Sequence, residues 1–230
     1  YGVSARAVWR PINTDQTTVH LGFSAVARTP ERVTSDDGIV VLGGRSGSVV
    51  ENRKFIAGGF SGIDHYTICD LEAAYRDDRF FVQGEALCST FATKERPGVI
   101  TNGEKTYNID GSESVSFWGG YLVGSYMLRG KQRSYSNSGA VFSNVNNEVE
   151  PGGNVELMIG ASAIDTQGYM GQAYEALGAV NWYPNTAMML GLSYTFTSFS
   201  KDAVALGRLR SSSGDGLSYH TLQLRAQFVF

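Results

Sequence analysis

The sequence predicts an all-β protein, a transmembrane antiparallel β-barrel, on three observations. The last thirteen residues, Ser218 to Phe230, alternate in character: His220, Leu222, Leu224, Ala226, Phe228 and Phe230 share one face of a strand, and Thr221, Gln223, Arg225 and Gln227 the other. The same alternation recurs along the chain, with the larger apolar face on one side and a charge-bearing polar face on the other, which suits lipid outside and water inside. No run of about 18 apolar residues occurs, so a transmembrane helix is excluded.

Nine strands follow in order, each near the ~9–11 residues that a tilted strand needs to cross hydrocarbon: 2–11, 18–29, 63–76, 79–92, 115–130, 153–166, 171–184, 187–200 and 218–230. Parity places Arg6 and Arg10 on the inward face of the first, and His20 and Arg28 on that of the second. It does the same for Asp70 and Glu72 on the third, Glu85 on the fourth and Arg129 on the fifth, then for Glu156, Glu175 and finally Arg225. The two cysteines, Cys69 and Cys88, fall on the outward face of two strands joined by the tight Arg76-Asp77-Asp78-Arg79 turn. They are either two small lipid-facing residues or a cross-strand disulfide, whose geometry between neighbouring strands is demanding. Trp9, Trp118, Trp182, Tyr126 and Tyr183 are read as interfacial aromatic girdles.

Short turns at Asp77-Asp78 and Tyr183-Pro184-Asn185-Thr186 alternate with longer segments at 30–62, 93–114 and 201–217, rich in Gly, Ser and Asp and read as polar loops. This is the asymmetry of short periplasmic turns and long external loops. The connections 131–152, long on the short-turn side, and 167–170, short on the other, fit it less well. Nine is an odd count, and the chain starts at Tyr1 without a Met or signal peptide. The expectation is therefore that residues 1–230 form the C-terminal part of a single larger barrel domain.

Composition narrows the function classes. The 230 residues include 28 Gly, 12 Tyr and 12 Phe, and a mean hydropathy of −0.15 is what alternating strands average to. A net charge of −3 and a pI near 5.6, with both signs interspersed, argue against a nucleic-acid partner. Two cysteines and three histidines offer no zinc spacing, and no GxSxG, HExxH or P-loop occurs. Asp70, Glu72 and Glu85 on neighbouring strands are a weak basis for an acid pair, so no catalytic residue, cofactor or metal is assigned. The GGRSGS run at 43–48 lacks the strand-to-helix context of a phosphate-binding loop. Strands twice the usual 5–6 residues also speak against a soluble β-sandwich.

A strand closed by a terminal Phe resembles bacterial outer-membrane barrels. Four further stretches resemble the phosphate-selective porin O/P family, in that family's order: Phe81-Val82-Gln83-Gly84-Glu85, Leu128 to Tyr135, Val155-Glu156-Leu157 to Ser162, and Gly178-Ala179-Val180-Asn181-Trp182-Tyr183-Pro184-Asn185. They are followed by a Met-rich strand and an ending similar to "RxQFxF". The resemblance implies a homotrimeric barrel of about sixteen strands in the lipid of the bacterial cell outer membrane, passing small anions such as phosphate or pyrophosphate. Departures bear on selectivity. Gly160 stands where the family has a lumen-facing Arg, Arg129 and Lys131 where it has Thr and Glu, and Val155 where it has Trp.

The pore-lining candidates are Arg6, Arg10, Arg28, Arg129, Arg225, Glu72, Glu85 and Glu156. The arginines serve either as structural partners of the lumen carboxylates or as a ladder guiding anions. Arg32, Arg45, Arg53 and Lys54 in the loops either gather anions at the mouth or keep the loops soluble. Two alternatives accompany the anion channel: a non-selective porin, and a plugged barrel acting as an outer-membrane anchor or scaffold for a protein assembly.

Overall fold

The computed structural model describes residues 1–30, 40–45, 54–93, 98–102, 105–109, 114–145, 148–203 and 216–228. The strands in chain order are β1 (Gly2–Asn13), β2 (Thr18–Arg28), β3 (Val40–Arg45), β4 (Lys54–Ser61), β5 (Ile63–Arg76), β6 (Phe80–Thr93), β7 (Gly98–Asn102) and β8 (Lys105–Ile109), then β9 (Ser114–Arg129), β10 (Tyr135–Ser136), β11 (Val141–Phe142), β12 (Asn154–Asp165), β13 (Gln172–Asn185), β14 (Met188–Phe199) and β15 (Leu217–Phe228). Nine of them form one antiparallel sheet in the order β1-β2-β5-β6-β9-β12-β13-β14-β15. These are the nine strands that alternation predicts, with ends within a few residues. Among the described residues the sheet does not close, and β1 and β15 each keep an unpaired edge.

Register carries one face across all nine strands. Leu21, Leu71, Leu122, Ile159, Val180, Leu192, Leu222 and Leu224 point outward and are exposed, as a wall facing hydrocarbon requires. Charged side chains bordering this band, such as Arg129 and Asp165, sit at strand ends. Cys69 and Cys88 are direct cross-strand partners, and both thiols are free. Trp9, Trp118, Trp182 and Tyr126 are exposed, as the girdle reading expects. Tyr183 is the exception: it is buried and turned inward, because it follows the outward Trp182 and adjacent residues of a strand face opposite ways. Phe230 and the cations Arg32 and Arg53 lie outside the described residues, as do the side chains of Arg45 and Lys54.

The segments 30–62 and 93–114 are not wholly loop. They contain β3, β4, β7 and β8, which form a second, four-stranded sheet in the order β3-β4-β7-β8. Ile56 and Phe60 of β4 are buried with Ile63, Phe91, Val115, Phe117, Met170 and Phe199, and the Phe60 and Phe91 rings stack at 5.0 Å. The glycines of this region masked short apolar runs that find a partner surface on the inward ends of β5, β6, β9 and β14. The 167–170 turn, short yet on this side, places Met170 in the same cluster.

The opposite end is held by tight turns. At 77–79, burial pushes the Asp77 carboxyl up, but the backbone N–H groups of Phe80 and Arg79 donate to it and outweigh that, so its pKa lies below the ordinary value.

Candidate functional site

The inward face becomes a site because the 131–152 segment folds back across it. Gly130, at the end of β9, has φ +90, and Gly152 and Gly153 have φ +90 and +91. These left-handed positions turn the chain in and return it to β12. A Cβ on Gly153 would lie 2.4 Å from Trp182 Nε1 and 2.8 Å from the Tyr183 carbonyl. Gly153→Ala should therefore destabilise the folded protein by about 1–3 kcal/mol; a urea midpoint unchanged in detergent would show that the return turn tolerates a side chain.

Between these turns β10 and β11 form a short hairpin, with Tyr135 opposite Phe142. The start of the segment docks on the β5–β6 turn. Gln132 donates its backbone N–H to Asp78 and its side-chain Nε2 to Ser125 Oγ at 2.7 Å. The hairpin is seated by rings and ions. Phe142 meets Phe81 edge-on at 5.0 Å, and the Arg133 guanidinium lies 4.3 Å over the Phe81 ring. Arg133 Nη2 is 2.8 Å from Glu156 Oε1, and Glu156 is completely buried. Tyr183 Oη, at 2.8 Å, and Asn181 Nδ2, at 3.2 Å, donate to its other oxygen.

A second cluster joins the hairpin to β1, β2 and β5. Arg6 grips Glu72 through two bonds of 2.8 and 3.0 Å, and its Nη2 also donates to the Ala140 carbonyl. His20 is buried, with Nδ1 2.8 Å from Tyr135 Oη and Nε2 3.5 Å from Glu72. Glu72 lies over Gly22, where a Cβ would come within 2.1 Å of its Oε1. Glycine at position 22 is thus what lets the carboxylate reach between β1 and β5. Glu85, the cross-strand partner of Glu72, accepts from Tyr121 Oη at 2.7 Å and from Gln83 Nε2 at 3.3 Å. Asp70 shares this face and buries Oδ1 without a hydrogen-bond partner among the described residues.

The remaining candidates are spread out. Arg10 Nη1 donates to Asn137 Oδ1 at 2.7 Å. Arg28 is exposed opposite Gly2 and Tyr66. Arg129 lies past a register shift, opposite Val155, and its guanidinium goes to the Pro151 carbonyl, with Nε 3.9 Å from Glu150. It braces the return turn and does not extend a cationic row. Arg225, opposite Gly191, donates to Gln227 at 2.8 Å. The structure thus brings Arg6, Arg10, Glu72 and Glu85 to one region, seats Glu156 under the hairpin, and leaves Arg28 and Arg225 apart.

Several residues of the site escaped the sequence. Arg133, Tyr135 and Asn137 fall in the 131–152 connection, which the sequence marks as long for the short-turn side and, as far as Tyr135, as similar to the porin family, without showing where its side chains go. Arg76 shares the inward parity of Asp70 and Glu72 and was visible by it; it is buried and donates to the Thr14 carbonyl and Thr18 Oγ1.

The whole chain, residues 1–230, matches the model of the family described as phosphate-selective porin O and P. The chain belongs to this porin family. No individual curated protein matches it. Family membership gives the open antiparallel sheet its meaning as barrel wall, and makes the protein a channel protein of the bacterial outer membrane. In the porin, the stretch from Leu128 to Tyr135 that resembles the family is the root of the inward hairpin. Gly160, in place of the family's lumen-facing Arg, pairs with Val123 and Leu177 on the inward face.

Proposed function

We propose that this porin lines a water-filled diffusion channel for small anions such as phosphate or pyrophosphate, narrowed on the short-turn side by the 131–152 hairpin. The observation that supports it most is the distribution of charge on the inward face. Arg6 and Arg133 are neutralised by Glu72 and Glu156, whereas Arg10, Arg28 and Arg225 have no carboxylate partner among the described residues. Arg10, Arg28 and Arg225 therefore attract anions at separate points of a wall that also carries Asp70, Glu85 and Glu175.

Unpaired edges on β1 and β15 are untenable against hydrocarbon, where each exposed backbone group costs several kcal/mol. In this reading further strands complete a single barrel domain of about sixteen strands, of which residues 1–230 are the C-terminal part, and the assembly is a homotrimer. A second reading, a plugged barrel serving as anchor or scaffold, has its own support: the hairpin and the second sheet both pack onto the inward face.

The test is single-channel recording of the full-length protein in a planar bilayer, with reversal potentials in chloride and phosphate gradients. Anion preference that strengthens with phosphate is the expected result. Conductance without preference makes it a general porin, and a folded protein that does not conduct belongs to the plugged reading.

A further inference from the structure

The outward face carries a notch in its apolar band. Along β9 the outward residues include Leu122, Gly124 and Tyr126, and Gly124 lies level with Val82 of β6 and Ile159 of β12. A Cβ on Gly124 would meet nothing nearer than 3.8 Å, so the space above it is open. Leu122 leans away from β12: its Cδ1 lies 3.1 Å from where a Cβ on Gly84 of β6 would be. What remains is a groove of about 430 Å³ over Gly124, Gly160 and Ala161, walled by Leu122, Ile159, Leu157 and Tyr126 and lined almost wholly by apolar atoms.

The direction of the groove says what fits it. One end is the Phe80–Tyr126–Leu157 row, next to the β5–β6 turn, and the other reaches Leu122 and Ala161 toward the middle of the wall. It therefore follows the strands from the edge of the sheet into the hydrocarbon zone, the course an acyl chain takes below its headgroup. Two donors stand at the edge. Arg79 is exposed beside Phe80, and neither its guanidinium nor the Tyr126 hydroxyl has a partner among the described residues. The neighbouring carboxylates are engaged elsewhere. Asp77 is held by the Arg79 and Phe80 backbone N–H groups and the Tyr75 hydroxyl, Asp78 lines a polar recess beside the inward hairpin, and Glu150 faces Arg129. A cation and a hydroxyl above an apolar groove suit an anionic phospholipid, whose phosphate accepts from both.

We infer that the outward groove over Gly124 seats one acyl chain of an anionic phospholipid, with its headgroup phosphate on Arg79 and Tyr126. The seat requires only that the wall faces lipid, as in the porin family, and is independent of what the channel passes.

Native mass spectrometry of the full-length protein in detergent, titrated with phosphatidylglycerol and with phosphatidylcholine of the same chains, reads the retained lipid. Phosphatidylglycerol should be retained about fivefold better or more. Gly124→Leu fills the notch at a position where a Cβ meets only ordinary contacts, and should lower that retention by roughly tenfold or more. Arg79→Gln should remove most of the preference for the anionic headgroup and leave phosphatidylcholine retention within about twofold. Leu192→Ala, outward but outside the groove, should change neither by more than about twofold. Phosphatidylglycerol retention unaltered in Gly124→Leu overturns the seat, and equal retention of both lipids by the unaltered protein overturns the headgroup contact. A folded Gly124→Leu protein that loses its oligomer assigns the groove to a second copy of the chain and overturns the lipid seat.

Discussion

Replacing Arg133 by Ala should lower the stability of the folded porin by about 3–5 kcal/mol, the usual cost of breaking a buried ion pair from one side. Glu156 is fully buried, and without Arg133 its charge would rest on the neutral donors Tyr183 and Asn181. The contact of the guanidinium with Phe81 would be lost as well. The urea midpoint in detergent measures this, and a change below about 0.5 kcal/mol would place Arg133 among ordinary surface residues. The pair Arg133→Met with Glu156→Leu should recover most of the loss, because removing both charges leaves none uncompensated. If the hairpin narrows the channel, Arg133→Ala alone should also raise single-channel conductance or its fluctuation.

Arg6→Glu should shift the reversal potential strongly toward cations. The substitution changes the charge by two units next to Glu72, Asp70 and Glu85, and breaks the two-bond grip on Glu72. At about 4 Å in bulk water each unit is worth about 1 kcal/mol to a passing ion, so the anion-to-cation ratio should fall by roughly tenfold or more at low salt. Arg6→Gln should give about half that change in free energy. A reversal potential that stays with the unaltered protein in both variants would put Arg6 off the permeation route. It would then be only a strut between β1, β5 and the hairpin carbonyl at Ala140.

The wall was legible because its signal is local. In a two-sided wall every strand repeats with a period of two, so inward Arg6, Glu72, Glu85, Glu156 and Arg225 and outward Leu222 and Leu224 are readable without knowing the neighbours. Tyr183 was misassigned against that same rule: its parity turns it inward, where its hydroxyl serves Glu156. The second sheet was missed because β3 and β7 are only 6 and 5 residues long. In such short runs alternation barely rises above chance.

The 131–152 connection stood out as long for its side, but its inward path could not be read. Asn137 is 127 residues from Arg10, and Ala140 is 134 residues from Arg6. Gly130 and Gly153 show a turn in the sequence, but a glycine at positive φ does not say whether the chain goes out to solvent or in across the sheet.

By itself, then, the sequence determined the strands, their two faces, the charges each face carries and the resemblance to a porin family. The tertiary structure decided which charges meet. It neutralised Arg6 and Arg133, sent Arg129 to the return turn, and left Arg10 beside two amides at the tip of an inward hairpin. The reason is physical: strand parity depends on adjacent residues, whereas the pairing of a charge depends on which distant carboxylate the fold brings within about 4 Å.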